Sequence, residues 1–434
     1  MTQQICVNQD IIEMEYAVRG PIPQRAMELK AQGKPVILCN IGNPQTLSQR
    51  PVTFYRQVLS LIEEPSRIER ERRLNKLFKG TGISGPEQKD LISDYVLDFC
   101  DDMISKMPTG MGAYTESKGP MFIREAVARY IDQRDGGDSS SFVAANPDNI
   151  FLSNGASEAA RFIIELLIAD RKDGIMIPIP QYPLYSAAIP KCGGVPVGYF
   201  PDEDSDWSLS RLALEESIQK AKSDGVNVKG IVVINPGNPT GAILGEESIR
   251  EVIDFAEQYD LVILADEVYQ ENIYGGEFVS FAKVLGKRDG ALFSMHSTSK
   301  GFYGECGHRG GYVELRNPPK VSGIDGDFVD VLLKQASVRL CANTAGQALT
   351  YLMLSPPEEG SEPYEQFDTE RKEILQDLCD KATIIRASFD QMEGVRCFGK
   401  IGAMYLFPRP EHLADVGTLA DRPVDESARS ARIC

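Results

Sequence analysis

No stretch of the 434 residues approaches the roughly 20 consecutive apolar positions that a membrane-spanning helix needs. Histidine is scarce, three in all, which argues against a His-based metal site. Nine cysteines occur, but none in CxxC spacing, and a dispersed odd set in a large chain reads as reduced thiols in the cytosol. Positive charge is in deficit: 46 Lys and Arg against 63 Asp and Glu give a formal charge of −17. That balance excludes a nucleic-acid or anionic-membrane surface as the expected partner. It leaves room for a small anionic ligand, because a site can be locally positive. The opening "MTQQICVNQDIIEMEY" has neither the basic and apolar regions of a signal peptide nor the Arg-rich look of a transit peptide. A cytoplasmic location is expected, and a mitochondrial one only if a leader precedes this start. No GxGxxG follows the first strand, which argues against a dinucleotide-binding dehydrogenase. No internal repeat is found.

What is present is an ordinary globular composition, 42% hydrophobic and 25% charged, in a chain long enough for two or three domains. Residues 1–110 read as mostly helical and polar. "IEMEYAVRGPIPQRAMELKAQG" is an extended piece followed by a Pro-started helix closed by Gly33, and "KPVILCNIGNP" reads as a short strand entering a turn. From about 110 to 320, short apolar runs such as "GIVVI" and "LVILA" alternate with amphipathic helices. This pattern predicts an α/β fold with a mainly parallel sheet covered on both faces. In such sheets ligands sit beyond the carboxyl ends of the strands. After 325, helical segments lead to "RCFGKIGAMYLFPR", which reads as strand, and predict a smaller α+β domain. The final "EHLADVGTLADRPVDESARSARIC" has little periodicity and reads as a frayed tail.

Four stretches fall where strands should end. "NGASEAA" (154–160) joins a strand to a helix, with Gly155 allowing a tight turn and Ser157 a candidate N-cap. The free amides of that helix start can hold an anion, although a plain capped turn would look the same. "NPGNPTG" (235–241) is a rigid loop presenting Asn238, or a bare turn. "LVILADEVY" (261–269) places Asp266 at the end of a buried strand, where it needs a cationic or donor partner or belongs to a structural ion pair. Tyr269, one helical turn on, could face the same ligand. "SMHSTSKG" (294–301) supplies Lys300 beside an apolar strand, where desolvation lowers a lysine's pKa and makes it a nucleophile. Taken alone, it could equally be a surface lysine. Arg309, flanked by glycines, offers a fork for a phosphate.

Together these residues specify one ligand. Its phosphate meets the helix start at Ser157, the hydroxyls of Ser297 and Ser299, and Arg309. Its basic ring nitrogen meets Asp266, its phenolic oxygen Asn238 and Tyr269, and its aldehyde Lys300. That ligand is pyridoxal 5′-phosphate, whose enzymes require a Schiff-base lysine and a partner on the pyridinium nitrogen.

The order "NGAS … NPGNPTG … ADEVY … STSKG … RGGY" resembles the fold-type I pyridoxal-phosphate aminotransferases. "EYAVRGPIPQRAMEL", "PIPQYPLYSA", "SVRLCANTAGQ" and "GAMYLFPR" bring the resemblance to the alanine aminotransferase branch, over about residues 12–410. Glutamate:glyoxylate aminotransferases look similar. The resemblance implies a seven-stranded, mainly parallel sheet in a three-layer α/β/α cofactor domain (110–325). Residues 1–109 then form an N-terminal arm and part of a small domain, which 326–434 completes with an atypical tail at 411–434. It further implies that Lys300 forms the Schiff base and carries the proton between Cα and C4′. Asp266 keeps the ring nitrogen protonated, and Tyr269 and Asn238 contact the ring oxygen. Tyr182 stacks on the ring, while Ala156, Ser157, Ser297, Ser299 and Arg309 hold the phosphate. Tyr114 reaches the phosphate of a neighbouring subunit in a two-fold homodimer. Gly42 lies near the substrate carboxylate, where Asn238 also contacts substrate. The implied reaction is a ping-pong exchange between alanine and 2-oxoglutarate, giving pyruvate and glutamate.

The sequence departs from that family at its end. The family's carboxylate-clamping arginine, in a glycine, apolar, His or Phe, arginine motif after a Pro-Gly-Ser-Gly-Phe-Gly loop, has no counterpart here. Arg422, Arg429 and Arg432 lack the matching context. A lost bidentate clamp predicts a rate penalty of about 100-fold or more. An altered C-terminus, a poorly active short form that binds cofactor, or a non-catalytic dimer partner are the alternatives this leaves.

Overall fold

The computed structural model describes residues 5–16, 20–39, 42–81, 91–136 and 140–410. Two helices open the chain, α1 (Gln9–Glu13) and α2 (Pro21–Ala31), the second started by Pro21 and followed by Gly33 at φ 76°. Lys34–Cys39, expected as a strand, belongs to no ladder among the described residues, and Ile37 is 88% exposed. An apolar run makes a strand only where a neighbour completes its ladder. Helices α3 (Thr53–Glu63), α4 (Ser66–Thr81) and α5 (Asp94–Lys106) follow, matching the helical reading of residues 1–110, and α6 (Met121–Asp135) comes after them.

Next come β1 (Ile150–Ser153), α7 (Ala156–Leu167), β2 (Asp173–Pro178), α8 (Leu184–Lys191), β3 (Val195–Tyr199), α9 (Arg211–Ser223), β4 (Asn227–Ile234), α10 (Glu246–Gln258), β5 (Val262–Asp266), α11 (Phe281–Leu285), β6 (Leu292–Ser297) and β7 (Gly311–Arg316). The strands form one seven-stranded sheet in the order β1-β7-β6-β5-β4-β2-β3. Only β7 runs against the rest. The mainly parallel α/β sheet read from the sequence is therefore present. Strands β1, β2, β5, β6 and β7 are buried along their whole length, as both-face coverage requires.

Alternation along the strands sorts side chains into layers. Ile175, Val232, Leu264, Phe293 and Val313 pack under α7, α8 and α12 (Phe328–Val338). Met176, Ile231, Val233, Ile263 and Leu292 pack against α9, α10 and α11 on the other face. A further core joins α3, α5 and α6 to α13 (Thr344–Leu354), Ile150, Leu152 and Tyr312. The chain then runs through α14 (Tyr364–Asp390) to a two-stranded ladder, β8 (Val395–Cys397) with β9 (Pro408–Pro410). "RCFGKIGAMYLFPR" is thus not a continuous strand. Its middle turns at Ala403 (φ 54°), whose amide donates to Asn272 O at 2.8 Å. Residues 411–434, with Arg422, Arg429 and Arg432, lie outside the described residues. Among the described residues no helix is long and apolar enough to cross a membrane.

One face of β6 and β7 is polar although buried. Ser294 and His296 stand opposite Glu314 and Tyr312, and the His296 ring lies parallel to Tyr130 at 6.3 Å. Neither ring nitrogen of His296 has a protein partner. Burial, helped by the Arg134 charge, pushes its pKa down to about 3. The unfolded chain therefore binds a proton that the fold refuses, and stability falls as pH drops through the window from about 6.5 to 3. His296 is expected to contribute up to about 1.4 kcal/mol of this loss per pH unit. In His296→Phe, urea unfolding across pH 6.5 to 4 should fall less steeply than in the parent. An identical slope in both would remove His296 as the cause.

Candidate active site

The strands deliver their last residues to one rim of the sheet. Asp266 ends β5, and Lys300 comes three residues after β6 ends at Ser297. Lys300 Nζ donates to the Gly42 carbonyl at 2.8 Å and sits 5.6 Å from the centre of the Tyr269 ring. Burial lowers its pKa, and Arg309 lowers it further, against the pull of Cys306 and Asp266. Asp266 is buried, and burial raises its pKa against the opposing influence of Tyr185, the Val268 amide and Lys300. The buried lysine and carboxylate expected from the sequence thus face one electrostatic environment.

The phosphate-type elements gather at the start of α7. Gly155, at φ 82°, is the N-cap, and Ser157 is not: it lies in the first turn. A Cβ at Gly155 would come 2.8 Å from Arg309 Nη2, so only glycine allows the loop this close to the guanidinium. Arg309 donates to Asn154 O at 2.8 Å and to Ser157 Oγ at 3.2 Å. Glu158 holds this turn by accepting from the amide and side chain of Asn154, and it is itself paired with Arg339. Ala156 is buried at the same helix start, and the first-turn amides offer donors. Ser297 Oγ gives its hydrogen to Gly310 O at 3.2 Å and accepts from the Ser299 amide at 3.1 Å. Its hydrogen is committed to the backbone. Ser299 is buried beside it.

Asn238 Nδ2 donates to Tyr269 Oη at 3.1 Å, so these two meet as expected. Tyr269 sits in a turn after β5, not on a helix. Tyr182 is half-buried, and its hydroxyl lies 3.3 Å from that of Tyr16 on the N-terminal segment. Tyr114 is 76% exposed, outside the buried group.

Two residues were not anticipated. Tyr405, in the irregular middle of "GAMYLFPR", brings its hydroxyl 3.5 Å from that of Tyr269, and a Cβ on Gly42 would overlap it. Tyr185 donates to Asp266 Oδ2 at 2.7 Å. The only sequence signal for either was a tyrosine inside an otherwise apolar segment.

These residues fit pyridoxal 5′-phosphate. Asp266 Oδ1 is buried with no hydrogen-bond partner, an arrangement that calls for a donor such as a protonated ring nitrogen. The helix start, Ser157 and Arg309 provide donors for a phosphate, Asn238 and Tyr269 for an oxygen, and Lys300 an amine for an aldehyde.

The sequence profile of the class I and II aminotransferases matches residues 93–426. A mitochondrial alanine aminotransferase 1 of Arabidopsis thaliana is 42% identical over 418 residues, covering 93% of this chain and 72% of the relative. Glutamate–glyoxylate aminotransferase 1 of the same plant is 39% identical over 412 residues, covering 93% and 80%. Among solved structures, an alanine aminotransferase from Pyrococcus furiosus superposes with a TM-score of 0.71 at 25% identity, covering 94% of this chain and 84% of that one.

The contact of Gly42 with Tyr405 and Lys300 can be probed directly. An added Cβ at Gly42 meets the Tyr405 hydroxyl and comes 3.2 Å from Lys300 Nζ. Gly42→Ala is expected to keep unfolding free energy within about 1 kcal/mol, since a flexible side chain takes up the strain. It should slow labelling of the Lys300 amine by an aldehyde reagent by about tenfold or more, through misplacement. Peptide mapping of the labelled lysine gives the rate. Equal rates in both proteins would mean that this contact does not position the amine.

Proposed function

This chain belongs to the class I and II aminotransferases, and on that premise we propose that it moves an amino group between L-alanine and 2-oxoglutarate, giving pyruvate and L-glutamate. The observation that carries amino transfer is the half-buried Lys300 amine, its pKa lowered by desolvation, in the same site as the buried Asp266 carboxylate with its open oxygen. The choice of alanine is supported by the relatives' names.

Members of the family use pyridoxal 5′-phosphate, which supplies an aldehyde for amines and a protonated ring that draws electrons from the reacting carbon. Lys300 is the residue we assign to hold that aldehyde and, once released, to take the proton from the substrate Cα and deliver it to the cofactor carbon that had carried the aldehyde. Its lowered pKa raises the share of the amine that is neutral, which a base requires. Asp266 holds the ring-nitrogen proton, and Asn238 and Tyr269 hold the ring oxygen. Tyr182 covers one ring face. Arg309, Ser157 and the amides from Ala156 onward anchor the phosphate, with Ser297 and Ser299 shaping the loop around it. Gly42 and Asn238 border the substrate, and Tyr405 closes the space above Lys300.

A two-fold homodimer is the proposed assembly, with Tyr114 completing the neighbour's phosphate site. Tyr114, Ile37 and Val338 are 76%, 88% and 86% exposed, a cost that burial against a second copy would remove. Light scattering in solution is expected to give twice the chain mass, and a monomer would refute the shared site. The eight cysteines among the described residues are free, which favours a reducing compartment such as the cytosol.

The decisive test is a half-reaction. Cofactor-loaded protein mixed with L-alanine is expected to lose its lysine-bound cofactor absorbance and release one pyruvate per site, and Lys300→Ala to lack that absorbance from the start. With glutamate as donor, pyruvate should be used at least tenfold more efficiently than glyoxylate. The reverse preference would move this chain to the glutamate–glyoxylate reading that its 39% identical relative favours. Absorbance that ignores both amino acids would leave a cofactor-binding protein without turnover.

A further inference from the structure

Tyr185 is among the largest fully buried side chains, 0% exposed, packed with Ile177, Ile189 and Val232 between α8 and the sheet. A tyrosine hydroxyl is costly in such a place unless it has a partner. Its partner is Asp266 Oδ2, at 2.7 Å. The same carboxylate has a second buried oxygen, Oδ1, with no hydrogen-bond partner among the described residues. A carboxylate can rotate about its Cβ–Cγ bond. One charge-assisted bond fixes that rotation and decides which oxygen is left facing the site. We propose that Tyr185 is the positioning residue of this aminotransferase: its hydroxyl clamps Asp266 Oδ2 so that Oδ1 stands ready for the ring nitrogen of the cofactor.

The clamp also governs charge. The groups facing Asp266 are Tyr185 from α8, Tyr182 from the turn before it, Tyr269 from the turn after β5, and Lys300 beyond β6. Burial raises the Asp266 pKa, and the Tyr185 bond is the first influence that opposes it. Without that bond the carboxyl takes up a proton at higher pH, and a neutral carboxyl holds a protonated ring nitrogen poorly. The proposal rests on Asp266 being the ring-nitrogen partner, so the experiment tests both.

Cofactor-free protein is titrated with pyridoxal 5′-phosphate by equilibrium dialysis from pH 5 to 9, for the parent, Tyr185→Phe, Tyr185→His and Asp266→Asn. Thermal melting of each cofactor-free protein checks the fold. Tyr185→Phe keeps the buried ring and is expected to bind about tenfold more weakly, the worth of one hydrogen bond to a charged group. Its acid limb of binding should move to higher pH. Tyr185→His, which retains a donor, should recover part of both effects and serves if the Phe protein fails to fold. Weaker binding with an unmoved acid limb would make Tyr185 a packing residue only and overturn the proposal. So would binding within twofold of the parent. If Asp266→Asn also binds like the parent, the ring-nitrogen assignment falls with it. If Asp266→Asn is weakened and Tyr185→Phe is not, only the Tyr185 role is lost.

Discussion

The whole arrangement depends on burying a lysine and an aspartate near each other without letting them neutralise into an ordinary ion pair. Removing a charge from water costs several kcal/mol unless it is paired and hydrogen-bonded. Here burial lowers the Lys300 pKa and raises that of Asp266, and each charge only partly offsets the other. The remainder is met piecemeal: the Gly42 carbonyl for the amine, the Tyr185 hydroxyl for one carboxylate oxygen. An amine that is not fully committed can act as a nucleophile and base, and a carboxylate with one open oxygen can receive a ring proton.

That tension sets requirements on the rest of the chain. The strands must be buried on both faces, so that their ends carry Asp266 and the Lys300 loop into a water-poor rim. The partners must then come from far away in sequence. Gly42 precedes the sheet, Asn154–Ser157 follow its first strand, and Tyr405 arrives after the last long helix. Close approach is the shared device. Gly155 lies against Arg309 and Gly42 against Tyr405 with no room for a methyl group. The site is therefore a property of long-range packing, and a small shift in any contributing segment reaches Lys300.

What could be read in the sequence follows from this division. Lys300, Asp266, Asn238 and Tyr269 were legible because strand ends announce themselves: an apolar run stops at a residue that water or a ligand must satisfy. Arg309 was legible from the glycines around it. Ser157 was misplaced as a cap because cap preference and glycine's positive φ point to residues two apart, and the approach of Arg309 decides between them. Lys34–Cys39 has strand composition, yet pairing is a property of neighbours that the segment does not carry with it. Tyr185 and Tyr405 were invisible for the same reason. Nothing local separates a tyrosine that fills space from one whose hydroxyl meets a carboxylate coming from another strand.

Asp266 and Glu267 show how the fold separates a structural carboxylate from a chemical one. They are consecutive and both buried, 6% and 1% exposed, Asp266 at the end of β5 and Glu267 just past it, but their partners differ. Glu267 accepts from the Phe281 amide at 2.8 Å and lies 3.9 Å from Arg134, itself clasped by Asp135. Burial still pushes its pKa up to about 7, so even this supported group titrates near neutrality. Asp266 keeps one bare oxygen, the poorer arrangement if stability alone were at stake. A fold that could satisfy one buried carboxylate leaves its neighbour incomplete. Among the described residues no donor reaches the bare oxygen, which leaves it open to a donor such as the protonated ring nitrogen proposed for the cofactor.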